Sequence, residues 1–369
     1  MRSSFAFLVL CSLVPLRAQT PSPSTITVPQ HREFVEGNST GRIAGFEGRS
    51  RQQVIVSGQA LQAVAGRRLS GFWLRRDELA GLTFPASASS LRVTVSAAGR
   101  STTAPSVRFD QNRGGAPLVV FDGILQLPQS SGAGVPAPWA LPHSLRIPFA
   151  TPFDIPPGDL CIEIEGEPID LSQPIVWWAD YEHEAAVGIV QLRGAGCGAQ
   201  LRQTQVTANA WERNMVPGAT MTLSSVGCGW SFGAMLLGSA LAAPVPLGPE
   251  AAPGCALHVL PLVQIPVAYG DPLSREGFAF LSVDVQIPPL SSLLSANFSV
   301  QWANIEAYPE CNWPYRITTT NALDLTLGDV MPPGTISVVV SDEVAPGEPL
   351  PDTGRVSVSR GPVLRFDVQ

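Results

Sequence analysis

The chain has 369 residues, with 30 acids against 23 arginines and no lysine, for a formal net charge of −7. An acidic, lysine-free surface is repelled by phosphate backbones and anionic headgroups, which speaks against nucleic acid as a partner and against electrostatic docking on lipid. Charged residues make up only 14%, while 34 glycines and 35 prolines interrupt the chain too often for many long helices, so the expected class is all-β.

Residues 1–18 have the form of a secretory signal peptide. Arg2 is followed by the apolar run Phe5 to Leu13, and Leu16-Arg17-Ala18 ends on the small residue that signal peptidase needs, which predicts a mature chain beginning at Gln19. Cys11 follows Leu10 rather than the Gly, Ala or Ser usual before a lipidated cysteine, so it belongs to the apolar core of the signal. The 351 residues that remain carry 21 arginines against 30 acids, or −9. That length is comfortable for two β-sandwiches, and export leads to a secreted, periplasmic or cell-surface protein.

From residue 19 to about 193, segments of period-2 alternation are separated by Gly, Pro and Ser. Strands are predicted at Gln53 to Leu61, Leu69 to Arg76, Leu91 to Ala97, Leu118 to Leu127, Leu145 to Phe149, Asp159 to Glu165, Ile175 to Tyr181 and Val187 to Leu192. In Leu160-Cys161-Ile162-Glu163-Ile164-Glu165 the aliphatic residues share one face, and Cys161, Glu163 and Glu165 the other. Eight such segments predict an antiparallel jelly-roll or Ig-like sandwich.

Trp177-Trp178-Ala179-Asp180-Tyr181-Glu182-His183-Glu184 gathers aromatics, acids and one of only four histidines, and is the candidate ligand surface. The aromatics can stack on a sugar, while Asp180, Glu182 and Glu184, on one face of a strand, can accept its hydroxyls or hold a hard cation. The plainer alternative is a strand end with a solvated acidic face and tryptophan in the core. No Ca²⁺-loop pattern and no zinc-ligand spacing occur, so no metal or cofactor is expected.

Near Arg193 the run Gly194-Ala195-Gly196-Cys197-Gly198 breaks the alternation, and a second sandwich is expected over 194–330. Its strands are predicted at Met221 to Ser225, Ala234 to Leu237, Ala256 to Leu260, Gly277 to Ile287, Phe298 to Ile305, Tyr315 to Thr319 and Leu323 to Leu327. No charged residue lies between Asn214 and Pro249, yet the compact apolar part, Ala234 to Ala243, is half the length a bilayer needs and runs into Pro244 and Pro246. A buried strand with a turn is expected there. The tail, 331–369, adds strand candidates at Ile336 to Val340, Arg355 to Ser359 and Val363 to Val368, to complete a sheet or cover an edge. Four cysteines of the second half, Cys197, Cys228, Cys255 and Cys311, predict two disulfides with three possible connectivities, leaving Cys161 as a buried free thiol.

Two motifs promise chemistry. Gly229-Trp230-Ser231-Phe232-Gly233 matches the G-x-S-x-G elbow of serine hydrolases, which needs a strand before it, a helix after it, and an acid and a histidine downstream. Here Gly238 and Pro244 interrupt the segment where the helix would lie, and only Glu250 and His258 stand downstream as partners. Leu350-Pro351-Asp352-Thr353-Gly354 matches a wall-sorting pentapeptide, but strand-like sequence succeeds it, so a turn is expected.

Short segments through the chain carry a resemblance: Glu36-Gly37-Asn38, Arg51-Gln52-Gln53, Pro148-Phe149-Ala150-Thr151-Pro152-Phe153 with Pro157-Gly158-Asp159-Leu160, Gly196-Cys197, Pro253-Gly254-Cys255-Ala256-Leu257, Gln301-Trp302 and Thr320-Asn321-Ala322-Leu323. In their order and spacing the chain resembles the secreted β-sandwich proteins of unknown function that planctomycete-type bacteria carry in many copies. The resemblance implies a β-rich exported protein and no particular activity. Cys228 and Cys311 are additional to its Gly-Cys and Pro-Gly-Cys pair, which implies Cys197 bonded to Cys255 and Cys228 to Cys311. The expected function is binding, adhesion or structure without catalysis, with an extracellular glycan or another surface protein as partner. The alternative is a secreted hydrolase, acting as an esterase through Ser231 or on carbohydrate through Asp180 and Glu182.

Overall fold

The structure is a computed structural model that describes residues 24–78, 83–132, 136–170, 177–184, 187–197, 207–210, 214–270, 278–305, 317–331 and 334–369. The expected signal segment and Cys311 lie outside these residues. Twenty-two strands stand against one helical turn, Phe109–Asn112, and three short 3-10 turns, so the fold is all-β among the described residues. Every pairing between named strands is antiparallel.

Two sheets enclose the larger core. One has the order Ser24–Val28, Leu364–Val368, Arg68–Arg75, Ser144–Asp154, and the other the order Arg355–Ser357, Ile336–Val340, Ser50–Val56, Leu160–Pro168, Ser87–Ala98, Arg113–Leu127. Leu160, Ile162 and Ile164 point into the space between them, as the alternation predicts, and meet Phe72, Ile147 and Phe366 from the facing sheet in one cluster. On the opposite face Cys161 and Glu163 are buried too, while Glu165 and Glu167 are partly exposed. Gln53 donates to Glu163 and to the carbonyl of Phe109, and burial pushes the Glu163 carboxyl up. Cys161 is a buried free thiol.

The tail is the chief topological result. Leu364–Val368 lies between Ser24–Val28 and Arg68–Arg75, and Ile336–Val340 pairs with Ser50–Val56, so strands from the end of the chain complete both sheets of the first half. The crossing to the second set of sheets comes earlier than residue 193, because Ile189–Arg193 pairs with Ala322–Thr326. Alternation finds a strand but does not say which strand it will pair with.

The second set comprises a sheet of order Ile189–Arg193, Ala322–Thr326, Asn297–Ile305, Phe232–Pro246, Ala256–Ala268, with Ile317–Thr319 also on Asn297–Ile305, and a sheet of order Thr207–Ala210, Thr220–Cys228, Phe278–Gln286. Met221, Met235, Val300, Trp302 and Leu325 are buried in its core. The buried strand expected at 234–243 is buried only near Met235 and Leu236. Pairing with Asn297–Ile305 stops at Gly238, and from there Phe232–Pro246 and Ala256–Ala268 continue as an exposed two-stranded ribbon. Cys255, at the base of its turn, is bonded to Cys197 with their Cα atoms 5.1 Å apart. Cys228 is disulfide-bonded as well, to a partner outside the described residues.

A small apolar seam joins the two sets. Phe109, Val339, Val356 and Val358 from the first pack against Val216 and Ala219 of the second.

Candidate functional site

The strand Ala179–His183 lies between Ser39–Gly41 and Arg360–Pro362, and all five of its residues are buried. Trp177 is in the core, its ring meeting Phe46 edge-on at 6.0 Å. The Tyr181 ring belongs to the same core; its hydroxyl donates to the Arg42 carbonyl and accepts from Gln52 Nε2, both at 2.8 Å. Burial pushes that phenol up to about 12.

The acidic face is not solvated. Residues 30–38 lie across it as a strap, and guanidinium groups neutralise it. Arg75 donates from Nε and Nη2 to Asp180 Oδ2 at 2.9 and 2.6 Å, while Nη2 also meets the carbonyls of Arg32 and Val35 in the strap and Nη1 donates to that of Glu33. Arg32 brackets Glu182, with nitrogens 2.8 and 2.9 Å from its two oxygens. Burial lifts the Asp180 carboxyl to about 7 against the opposing pull of Arg75, and lifts Glu36 and Glu184 as well. Glu184 accepts from the Thr335 N–H at 3.0 Å.

Glu36-Gly37-Asn38 is the clasp of this strap. The Gly37 N–H donates to Asp180 Oδ1, and a Cβ at Gly37 would fall 2.1 Å from the Tyr181 carbonyl, so only glycine permits the approach. The Asn38 side chain bonds both backbone groups of His183, accepting from its N–H at 2.8 Å and donating to its carbonyl at 3.0 Å. Glu36 accepts from the N–H groups of Glu78 and Ala137. The geometry therefore brings Asp180, Glu182 and Glu184 together, but spends their carboxylates on the strap and on neighbouring backbone, while the strap holds His183 through its backbone.

Trp178 is the aromatic that leaves the core. Half-buried, with the Arg42 guanidinium 4.9 Å over its ring, it borders with Tyr181 a cleft of about 350 Å³. Thr40 and Arg360 from the strands flanking Ala179–His183 line the same cleft, and Asn214 and Thr222 reach it from the second set of sheets. Arginines 42, 355 and 360, together with Arg32 of the strap and Arg75 of the strand Arg68–Arg75 that holds it, are the site residues that sequence reasoning missed. Glu36-Gly37-Asn38 was the one signal that could have led to the strap.

The hydrolase elbow is not formed. Ser231 is buried, Trp230 before it adopts φ 60°, and the strand Phe232–Pro246 comes where a helix is required. His258 sits in the strand Ala256–Ala268 with its backbone N–H bound to Gln301 Oε1, and burial together with nearby Arg193 lowers its imidazole. Leu350 to Gly354 is not the expected turn, which lies earlier at Pro346-Gly347: Thr353 forms a β-bridge with Arg108, the Gly354 N–H donates to the Val107 carbonyl at 2.8 Å, and the next residues enter a sheet.

No protein-family model matches the sequence, and comparison with curated proteins finds no match. Among solved structures, the VP2 subviral particle of infectious bursal disease virus aligns at 10% identity over 94% of this chain and 81% of that chain, with a TM-score of 0.16. A likeness of that degree shows neither a shared fold nor a shared function.

Proposed function

We propose that the chain is an exported, non-enzymatic binding protein and that the cleft beside Trp178 receives its ligand, an extracellular glycan. The observation that carries this reading is the cleft itself: a concavity bordered by a half-buried tryptophan and by hydroxyl, amide and guanidinium groups, beside a strand to which the strap is hydrogen-bonded. The Cys197–Cys255 disulfide fits an oxidising compartment, in keeping with the signal peptide read at residues 1–18 and with the resemblance to secreted planctomycete-type proteins. Among the described residues no helix is long and apolar enough to cross a membrane. The strand pairing supports a division in which residues 24–183 and 334–369 form one sandwich and 187–331 another.

A glycan array probed with the mature chain tests the reading. Retention of defined oligosaccharides, lost in Trp178→Ala, is the expected result. An array on which wild type retains nothing, or on which the variant retains the same glycans equally, overturns it.

A further inference from the structure

We propose that the cleft beside Trp178 selects acidic carbohydrate, an oligosaccharide bearing carboxylates of the uronic acid type, through Arg42, Arg355 and Arg360. The inference rests on the reading of the cleft as the ligand site and adds the chemistry of what enters it.

Charge segregation is the first observation. Acids outnumber arginines 30 to 23 in the chain, yet among the described residues lining this cavity there are three arginines and no acid. The cations reach it from separate places in the sequence: Arg42 just after the strand Ser39–Gly41, Arg355 at the start of its strand, and Arg360 in the strand beside Ala179–His183.

The second observation is that two of the three are open to a ligand. Arg355 is 47% exposed; its acidic neighbours, Asp342 at 3.1 Å and Asp284 at 4.0 Å, are themselves 78% and 38% exposed. Arg42 is 53% exposed, and pairs with Glu47, which is 20% exposed. Ion pairs as exposed as those of Arg355 contribute little to stability, so an incoming carboxylate displaces an aspartate there at small cost, and the open side of Arg42 is left to a second contact. Arg360 differs. Its guanidinium lies 5.5 Å over the Tyr181 ring and donates to the Thr40 carbonyl at 2.9 Å, which fixes one cation in the cleft.

A third observation points to a hydroxylated ligand. Thr40, Ser357, Thr222 and Asn214 belong to the lining, residue types that exchange hydrogen bonds with hydroxyls, and Trp178 supplies an apolar ring beside them. Guanidinium forks for carboxylate, polar side chains for hydroxyls and one aromatic ring are the groups an acidic sugar needs.

The test is calorimetric titration of the full mature chain with oligogalacturonate and, separately, with neutral malto-oligosaccharide of the same length. Oligogalacturonate is expected to bind, to weaken several-fold as salt rises from about 0.05 to about 0.5 M, and to bind about tenfold or more weakly to the double variant Arg42→Gln/Arg355→Gln. Both substitutions lie at exposed positions, and an unchanged circular dichroism melt shows that the variant folds. Equal binding of both oligosaccharides, unaffected by the double substitution but lost in Trp178→Ala, overturns the acidic selectivity and leaves the cleft as the ligand site. No binding of either overturns both.

Discussion

In the sheets built from residues 24–183 and 334–369, 34 buried apolar residues form one cluster; those of residues 187–331 enclose a cluster of 10 among the described residues. The first set also buries charge, with Arg75 and Asp180 both fully inaccessible, and the sheets it forms hold no disulfide among the described residues. In the second set, Glu250 is the one charged residue between Asn214 and Gly270, and a disulfide anchors the ribbon where pairing to the neighbouring strand has ended. The difference shows how a small core is compensated. Where buried area is large, the fold tolerates the desolvation of an ion pair; where it is small, a covalent link restricts the unfolded chain instead.

Breaking the ion pair gives the largest expected effect. At pH 8, Arg75→Ala leaves Asp180 buried without its cation and the strap carbonyls without their donor, and denaturant unfolding should show a loss of about 3–5 kcal/mol. A loss below about 1 kcal/mol would show that the strap does not depend on the pair.

The covalent device comes next. Cys255→Ser opens a link spanning 58 residues, and should cost about 2–4 kcal/mol. Hydrogen exchange should show the loss in Phe232–Pro246 and Ala256–Ala268, with protection of Leu160–Pro168 unchanged. Uniform loss across both sets of sheets would mean that they unfold as one unit.

The pH dependence should belong to the first set. Burial raises Asp180 to about 7, and raises Glu36, Glu163 and Glu184 in the same direction. The folded chain therefore holds protons that the unfolded chain, with carboxyls near pH 4, releases. Stability from these groups is full below about pH 4 and is lost as pH rises through about 7. Denaturant midpoints measured across that window should decline with pH, and more shallowly in Asp180→Asn. A slope that the substitution leaves unchanged would assign the effect to other acids.

The smallest effect sharpens the contrast between the thiols. Burial pushes the Cys161 thiol far up, so it stays protonated and covered by the residues packed on its sheet. Alkylation of the native protein without reductant should leave Cys161 unmodified, and full modification should occur on unfolding. Rapid labelling in the native state would show that this face of Leu160–Pro168 opens.

Alternation and punctuation were enough for the class and for many strands. Ile336–Val340 falls where its pattern puts it, and Leu160, Ile162 and Ile164 face the core as their spacing requires. Leu350 to Gly354, read as a turn, instead pairs with residues 107 to 109, whereas the place of Trp177 in the core was also legible, as the plainer of two readings. These are local properties, because the pleat imposes its two-residue period on any strand with one buried face.

Partnership is not local, and only the tertiary structure decided it. Leu364–Val368 completes a sheet with strands from the start of the chain, and Arg75 meets Asp180 across 105 residues. The acidic strand read from sequence as an open surface is closed by residues 30–38, and the cleft beside it takes its cations from positions 42, 355 and 360. The sequence by itself determined that this chain makes strands and, for segments such as Leu160–Pro168, which face meets the core. Which strands and charges meet depends on the burial of the whole chain, where desolvation makes an unpaired acid costly and a distant arginine the group that satisfies it.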